Sequence, residues 1–427
     1  MIELNTKEIC SGVNFTNIHD NRFKTARISA TFFTPLSNDT VSANGILPYI
    51  ITRSCKQYPD FAALNKKLSS LYGASIYSDV GKNGDNQVLV ISAVGIDDKY
   101  SLDGQSVSKE LARLLCSIIF EPDLENGRFK SENIEQERRQ LIEAIDAEYN
   151  NKRIFAKNRC EQTMCANEKS GISPYGTKEQ AESLTSDEIY NAWKNVLKTA
   201  RVEITMMGDS SPELAMKMFM EAFSKVERKN IVDCSTEIVR KAPDTVKEKQ
   251  DVQTIKQCKL VMGLRAGVCG NDDDVMATRI MVALLGGTPH SKLFLNVREK
   301  YSLCYYCAAK YERYKGIIFI ESGVEQKNIE RAKEEIMNQL KAIQNGDFDD
   351  DEVNAAKLSL CNSFKTVSDS IGSLESWYIS QTFENKKMSP EQTVEELKKV
   401  TRQQIIDAAN KVTLDTVYTL VGNKEEN

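Results

Sequence analysis

The sequence is poor in histidine, and this shortage removes more classes of function than any other feature of its composition. Among 427 residues only His19 and His290 are histidines, and they lie in opposite halves of the chain. Two histidines so far apart cannot form the pair on one helical turn through which many zinc hydrolases bind their metal. A Ser-His-Asp triad built on either histidine has no local signature. The sequence therefore carries no self-contained motif of a zinc or serine hydrolase.

A basic excess is also missing. The chain has 56 Lys and Arg residues against 61 Asp and Glu residues, which gives a formal net charge of -5 at pH 7. Such a chain has no broad electropositive field with which to attract phosphate backbones. We therefore expect no nucleic acid as its principal partner.

Long apolar runs are absent as well. No segment approaches the roughly 18 residues needed to span a bilayer, and the start, MIELNTKEIC, lacks a basic-then-apolar leader. The eleven cysteines are odd in number and follow no framework spacing. These features predict a soluble protein of the reducing cytoplasm with no membrane partner.

What the chain does contain is a weak internal repeat. Its length favours two domains, and LTSDEIYNAWKNV at 184–196 aligns with VTRQQIIDAANKV at 400–412, so that Thr185 matches Thr401 and Ile189 matches Ile405. A strand-like run ending in glycine follows each segment. The repeat predicts two homologous domains at residues 1–222 and 250–427, with a polar, lysine-rich linker at 223–249.

Within each half, strand pairs alternate with amphipathic helices. Residues 60–73 predict a helix that begins at an Asp60 N-cap and stops at Gly73. Residues 131–164 predict one long amphipathic helix. The pattern predicts the α+β class, with an antiparallel-rich sheet and helices packed on one of its faces, present twice.

The segment GGTPHSKLFLNVREKYSLCYY, at 286–306, carries the most specific pattern in the chain. It matches S-x-LF-x-x-VREK-x-x-L-x-Y, including Arg298 and Tyr305. With the duplicated α+β unit, it resembles the insulinase and pitrilysin family of zinc peptidases, which includes the mitochondrial processing peptidase. The resemblance spans nearly the whole chain and implies the half-clamshell fold of that family and peptide substrates.

The resemblance also implies a zinc motif, H-x-x-E-H, on a helix of the first domain, and a third ligand on a later helix. At the corresponding positions this chain has Pro48, Ile51 and Thr52, and Ala144 stands where the third ligand would be. Proline, isoleucine and alanine offer no ligand, and a lone threonine hydroxyl is a poor zinc donor. We therefore expect no metal or other cofactor in this chain.

Arg298 and Tyr305 are the catalytic residues that the resemblance implies. In family peptidases this pair reaches from the second domain toward the zinc of the first. An arginine fork holds a carbonyl or carboxylate, and a tyrosine hydroxyl donates to a developing oxyanion. The alternative is structural: a surface turn in which Arg298 pairs with a nearby acid, and Tyr305 as a half-buried strand residue.

The residues around this pair have more than one interpretation. Gly286, Gly287 and Ser291 are predicted to contact substrate, in analogy with the glycine-rich loop of the metal-free processing-peptidase subunit, although a helix C-cap at the two glycines explains them equally well. Cys304 and Cys307 have C-x-x-C spacing, but on a regular strand their sulfurs point to opposite faces. His290 is predicted to be a solvent-facing loop residue.

Some bacterial members of this family work as two different subunits, one with the zinc motif and the other with the Arg/Tyr pair. The first-domain segments of this chain are similar to those of the metal-free subunit. The hypothesis is thus a heterodimer in which a homologous H-x-x-E-H partner brings zinc, with a homodimer as the state in isolation. The rival hypothesis is a non-catalytic scaffold or peptide-binding pseudoenzyme, comparable to the core subunits of the respiratory bc1 complex. An independent peptidase with unusual ligands is the least favoured.

Overall fold

The computed structural model describes residues 3–102 and 104–423. The chain divides into two compact units. Unit 1 runs to Asp146 and resumes over Ile172–Ser235, whereas unit 2 contains Ala147–Gly171 and continues from Thr236. No helix in the described ranges is both long and apolar enough to cross a membrane.

Unit 1 is built on a six-stranded sheet with the order β1-β2-β8-β3-β5-β4. Its strands are β1 (Glu3–Cys10), β2 (Val13–His19), β3 (Thr25–Pro35), β4 (Ser75–Asn83), β5 (Asn86–Ile96) and β8 (Arg201–Gly208), and the short pair β6 (Leu124–Glu125) and β7 (Arg128–Phe129) lies outside the sheet. Its helices are α1 (Val41–Ile51), α2 (Phe61–Ser70), α3 (Val107–Phe120), α4 (Ser131–Asn150, which crosses the boundary), α6 (Lys178–Ser183), α7 (Ser186–Thr199) and α8 (Glu213–Ser224). Ile28, Ala30 and Phe32 alternate along β3 and point into the core with these helices.

Unit 2 has a five-stranded sheet with the order β11-β12-β10-β13-β9. Its strands are β9 (Lys247–Gln253), β10 (Cys258–Arg265), β11 (Cys304–Glu312), β12 (Ile317–Val324) and β13 (Thr413–Gly422). Its helices are α5 (Lys152–Met164), α9 (Val275–Val282), α10 (Ile329–Gln344), α11 (Asp350–Thr366), α12 (Ile371–Ile379), α13 (Pro390–Lys399) and α14 (Arg402–Asn410). Two π-helical segments, Ala283–Gly287 and Leu293–Lys300, lie between α9 and β11.

Five strands of each sheet have the same connectivity. The order β2-β8-β3-β5-β4 in unit 1 corresponds to β9-β13-β10-β12-β11 in unit 2, and the only parallel pairs among the described strands are β2 with β8 and β9 with β13. The helices that precede β8 and β13 also begin alike, because Thr185 and Thr401 form capping boxes with Glu188 and Gln404. The predicted α+β class with two related domains is confirmed.

The structure differs from the predicted helix packing at α5. The helix predicted over 131–164 is broken at Asn151, whose side chain caps α5 by accepting from the Ile154 amide at 3.3 Å. Beyond this break, α5 packs on the face of the unit 2 sheet that the other helices leave uncovered. Helices therefore cover both faces of this sheet, whereas the sequence predicted helices on one face.

Gly263 of β10 makes this packing close. A Cβ atom at Gly263 would lie 2.7 Å from Met164 Sδ, so the missing side chain lets α5 approach the sheet. As a result the segment 147–171, predicted as part of a first domain at 1–222, groups with unit 2.

The predicted linker at 223–249 overlaps regular secondary structure at both of its ends. Its first part contains the end of α8 and belongs to unit 1, where Asn86 Nδ2 donates to the Cys234 carbonyl at 2.8 Å. Its last part begins β9, which pairs with β13. Between these ends, residues 225–246 form neither helix nor strand, and most of the polar composition that suggested a linker falls there.

Candidate functional site

The predicted zinc-motif positions in unit 1 lie at the end of α1. Pro48 and Ile51 are buried, and Ile51 packs in the unit 1 core. Thr52 ends the helix, and its hydroxyl donates to the carbonyls of Pro48 and Tyr49 at 2.8 and 3.1 Å. Ala144 is an exposed residue of α4. These residues do not fit a zinc ion, since none presents a free ligand atom.

An ion pair stands beside these positions. Arg53 Nη1 lies 2.6 Å from Glu137 Oε1, and the two side chains are 19% and 5% exposed. Arg53 Nε also donates to Asn133 Oδ1 at 3.3 Å. Sequence reasoning missed this pair, although Glu137 takes a place in the buried stripe of α4 between Ile134 and Leu141, where a carboxylate needs a partner.

A cavity of about 620 Å³ opens next to this ion pair. Tyr49, Arg53 and Glu137 line one side, and β4 lines another through residues 75–78. Because β4 pairs only with β5 and stands at the edge of the sheet, its free backbone groups face away from β5. No group of three or more His, Cys, Asp or Glu residues in the described ranges is arranged to hold a metal ion.

Arg298 lies in the second π-helical segment of unit 2. Its side chain is 40% exposed, and its Nε lies 3.3 Å from Glu299 Oε1. Its guanidinium also lies over the Phe294 ring, 4.5 Å from the centroid. An ion pair between two such exposed side chains is weak, so the guanidinium can exchange Glu299 for another anion at small cost.

Tyr305 is exposed because β11 contains a bulge. Cys304 pairs with Val324 and Tyr306 pairs with Gly323, so Tyr305 is an extra residue without a partner on β12. Bulges re-aim side chains and often occur beside active sites. Tyr305 is 63% exposed, and β11, like β4, is an edge strand. Neither Arg298 nor Tyr305 is buried in the core.

The same bulge corrects the prediction for Cys304 and Cys307. Their cross-strand partners, Val324 and Ser322, are two residues apart on β12, so both sulfurs lie on one face of the sheet. A hydrogen bond from the Cys307 thiol, aided by Ser322 and the charge of Arg298, lowers the pKa of Cys304 to about 7 although burial opposes this. The same hydrogen bond and burial raise the pKa of Cys307.

The three residues predicted to contact substrate differ in their exposure to solvent. Gly286 is buried, and a Cβ atom there would lie 2.7 Å from the Ala309 amide nitrogen. Ser291 is 1% exposed. Gly286 lets its π-helical segment approach β11 closely, and the predicted substrate contact of both residues stays a prediction. Gly287 and His290 are exposed, and the predicted role of Gly287 stays a prediction.

Comparisons with known proteins point in one direction. The family described as "Peptidase M16 inactive domain" matches residues 183–360. The "Probable inactive metalloprotease YmfF" of Bacillus subtilis (strain 168) is 30% identical over 423 residues, which covers 99% of this chain and 98% of that protein.

Solved structures agree on the fold. A conserved protein from Enterococcus faecalis V583 superposes with a TM-score of 0.92 at 24% identity, covering 99% of this chain and all of its own. A protease from Helicobacter pylori gives 0.81 at 13% identity, covering 98% of this chain and 99% of its own. A peptidase M16 inactive domain from Pseudomonas fluorescens gives 0.79 at 15% identity, covering 99% of both chains. At these identities the likeness concerns the fold alone.

Proposed function

This chain belongs to the M16 peptidase family as an inactive metalloprotease-like member, and from that premise we propose that it is the metal-free subunit of a two-chain peptidase. In this proposal a homologous partner with an H-x-x-E-H motif supplies the zinc site, and this chain supplies Arg298, Tyr305 and a surface for the peptide. The observation that carries the proposal is a contrast. The zinc-motif positions hold residues that cannot bind metal, whereas Arg298 and Tyr305 remain exposed.

The chemistry of the pair suits peptide hydrolysis. A guanidinium presents a planar fork of donors that matches a carboxylate or the polarised carbonyl of a peptide. A phenol hydroxyl can donate to the oxyanion that develops on that carbonyl. Both groups act by position and charge, so they are useful only where another chain provides the attacking species.

The peptide-binding surface in this proposal is the edge of β4. An extended peptide can add to an exposed edge strand through main-chain hydrogen bonds, while pockets beside the strand accept alternate side chains. The 620 Å³ cavity along residues 75–78 supplies such a pocket. The pair of Arg53 and Glu137 at its wall gives it both signs of charge.

A non-catalytic scaffold is the second candidate, and one observation favours it. Arg298 already has an anionic neighbour in Glu299 and an aromatic contact in Phe294. Because these contacts are enough to hold the guanidinium, its position does not require a substrate. In a scaffold, the pair would stabilise a surface turn and contribute nothing to turnover.

The two candidates are separated by reconstituting the complex. The chain would be purified alone and with its H-x-x-E-H partner, and peptide cleavage and zinc content would be measured for each. We expect neither cleavage nor stoichiometric zinc in the chain alone, and both in the complex. Stoichiometric zinc with cleavage by this chain alone would overturn the proposal.

Variants then test the pair itself. Removing one oxyanion donor costs about 100- to 1000-fold in kcat, so we expect a loss of this order for Tyr305→Phe, and a fall in kcat/KM for Arg298→Ala. Arg331→Ala with Tyr301→Phe is the matched control, since these residues form another exposed arginine–tyrosine contact in unit 2. Unchanged turnover in Arg298→Ala and Tyr305→Phe complexes would favour the scaffold.

A further inference from the structure

Unit 2 contains another cavity, of about 540 Å³, that the proposed function does not use. It lies among α9, α11, α12 and β11, and residues from each line it. Arg279 comes from α9, Phe364 from α11 and Trp377 from α12. Its volume is within the range of cavities that bind small ligands, which is about 300 to 1000 Å³.

Arg279 forms no ion pair in this cavity. Within the described residues no carboxylate lies at ion-pair distance from its guanidinium, and it donates no hydrogen bond to the protein. Its guanidinium lies over the Phe364 ring, 5.2 Å from the centroid. Burial, and then the nearby charge of Arg313, lower the pKa of Arg279 to about 10, which still leaves it charged at neutral pH.

The other charged groups around the cavity already have hydrogen-bond partners. Arg313 donates to Glu384 and to the hydroxyl and carbonyl of Ser380. Glu312 accepts from the backbone amides of Tyr314 and Lys315 at 3.1 and 3.0 Å. Among the described residues of this wall, Arg279 is therefore a cation whose guanidinium has neither an ion pair nor a hydrogen bond. A half-buried guanidinium without an ion pair attracts an anion that can reach it.

The rest of the wall is apolar and aromatic with a few hydroxyls. Phe364 and Trp377 pack edge to face with their centroids 5.4 Å apart, and Val282 and Leu360 extend the apolar surface. Ser359 and Ser363 add hydroxyls from one turn of α11. A ligand that suits this lining has an apolar body and one anionic group, because a few polar groups in an apolar pocket fix a ligand's orientation.

We propose that this cavity binds a monocarboxylate carried on an apolar or aromatic group. The Arg279 fork holds the carboxylate through two parallel hydrogen bonds, and the apolar body lies against Phe364 and Trp377. The fork can hold either a carboxylate or a phosphate, but a monoanion suits this cavity better than a dianion because the carboxylate of Glu312 lines the same wall. The carboxylate can belong to a free organic acid or to the C-terminal residue of a peptide, and these share one chemistry.

The test uses the full chain alone, so its outcome does not depend on a partner or on zinc. Phenylacetate and phenylacetamide form one matched pair of probes, and the acid and amide of acetyl-Ala-Phe form another, with inorganic phosphate as a third arm. Binding is followed by calorimetry, by the rise in Tm and by the fluorescence of Trp377. We expect both acids to bind saturably and both amides to fail. The tighter of the two acids identifies the source of the carboxylate.

Variants connect the binding to Arg279. Hydrogen bonds to a charged group predict that Arg279→Met weakens acid binding by about 10- to 100-fold, whereas Arg279→Lys, which keeps the charge without the fork, weakens it less. Arg331→Met, which removes one exposed arginine from the same unit, should leave the affinity unchanged. Because Arg279 is unpaired, Arg279→Met should not lower the Tm of the ligand-free chain.

Several outcomes would overturn the proposal. These are equal binding of acids and amides, unchanged acid binding by Arg279→Met, phosphate binding as tight as that of the acids, or no saturable binding of any probe. If Arg279→Met fails to fold, the Arg279→Lys variant and the acid–amide comparison on the natural chain still decide the matter.

Discussion

At the scale of single residues, the bulge in β11 determines the environment of three neighbours. Tyr305 is the extra residue and points outward, while Cys304 and Cys307 are brought to one face, where their thiols hydrogen-bond. The charge of Arg298 also reaches Cys304. One inserted residue therefore places an exposed phenol and a thiol of lowered pKa side by side at the start of one strand.

Cys304 should be the most reactive cysteine of the chain near neutral pH. A thiolate is the nucleophilic form, and free cysteine titrates near pH 8.5, whereas the pKa of Cys304 is about 7. We expect the rate of its alkylation by iodoacetamide to rise with a midpoint near pH 7, as measured by mass spectrometry of each cysteine-containing peptide.

Two variants check the cause. Cys307→Ala removes the hydrogen-bond donor, and Arg298→Gln removes the positive charge, so both should move the midpoint for Cys304 to higher pH. Cys116 is a suitable internal control, because burial raises its pKa to about 12. A midpoint for Cys304 near pH 8.5 in the natural chain would contradict the expectation.

At the scale of elements, a buried ion network stabilises the segment that follows α5. Arg265 of β10 pairs with Glu168 at 2.6 Å and with Asp415 of β13 at 2.8 Å. Lys315 pairs with the other oxygen of Glu168 at 2.8 Å. All four side chains are at least nine-tenths buried, so each charge depends on its partners.

Glu168→Gln should therefore destabilise unit 2 by about 3–5 kcal/mol, because it removes the carboxylate that both Arg265 and Lys315 contact in the buried network. Burial would raise the pKa of Glu168, but hydrogen bonds from Arg265 and Lys315 outweigh it and the pKa is lowered. A carboxylate with a lowered pKa stabilises the fold above its unfolded pKa of about 4.3. This contribution is lost as the pH falls below that value.

The measurement is urea unfolding followed by tryptophan fluorescence, in which Trp377 reports on unit 2 and Trp193 on unit 1. The difference between Glu168→Gln and the natural chain should be largest near pH 7 and should shrink as the pH falls below about 4.3. Glu143→Gln, at an exposed position of α4, is the control and should have no effect of this size. A pH-independent difference would argue against the network.

Much of the element pattern could be predicted from sequence, because it depends on local signals. Asp60 caps α2 by accepting from the Ala63 amide at 2.7 Å, as its position before an apolar stripe predicts. The break at Asn151 and the bulge at Tyr305 could not be predicted in this way. The helical periodicity continues through Asn151, and C-x-x-C spacing is the same with or without a bulge, so long-range packing decides both.

The candidate site shows the same division. The residue types at Pro48, Ile51 and Thr52 could be compared with a metal site directly, since ligand chemistry is a property of single residues. The partner of Glu137 and the isolation of Arg279 could not be derived from the sequence. Both depend on which charges the fold brings within 4 Å, and these lie far apart in sequence.

At the scale of the whole molecule, the two units share one sheet topology, but their sheets are covered by different sets of helices. In unit 2, Val261, Phe319, Tyr418 and Leu420 form a face that α5 covers with Ala156, Cys160 and Met164. This covering helix comes from the middle of the sequence that builds unit 1. Unit 2 is thus not a contiguous stretch of the chain.

A fragment of residues 236–427 should therefore fold poorly by itself. Its sheet would expose the apolar face that α5 covers, and exposed apolar patches promote association. We expect the fragment to bind ANS and to lack a cooperative unfolding transition. A synthetic peptide of residues 147–171, added in trans, should restore the transition and abolish ANS binding.

A peptide with Cys160→Asp and Met164→Glu is the matched control, because it places carboxylates against the apolar face and should not restore folding. Cooperative unfolding of the fragment without any peptide would contradict this expectation. It would show that unit 2 folds with this apolar face of its sheet exposed to solvent and does not need α5.

The position of α5 also sets the order of events during synthesis. The helix leaves the ribosome early, but the strand that carries Tyr418 and Leu420 is translated about 250 residues later. At roughly 5–20 residues per second, the apolar side of α5 waits on the order of 10–50 s for its sheet. During that interval the apolar stripe of Ala156, Cys160 and Met164 has no sheet to dock on, so we expect the nascent chain to need protection from association until translation is complete.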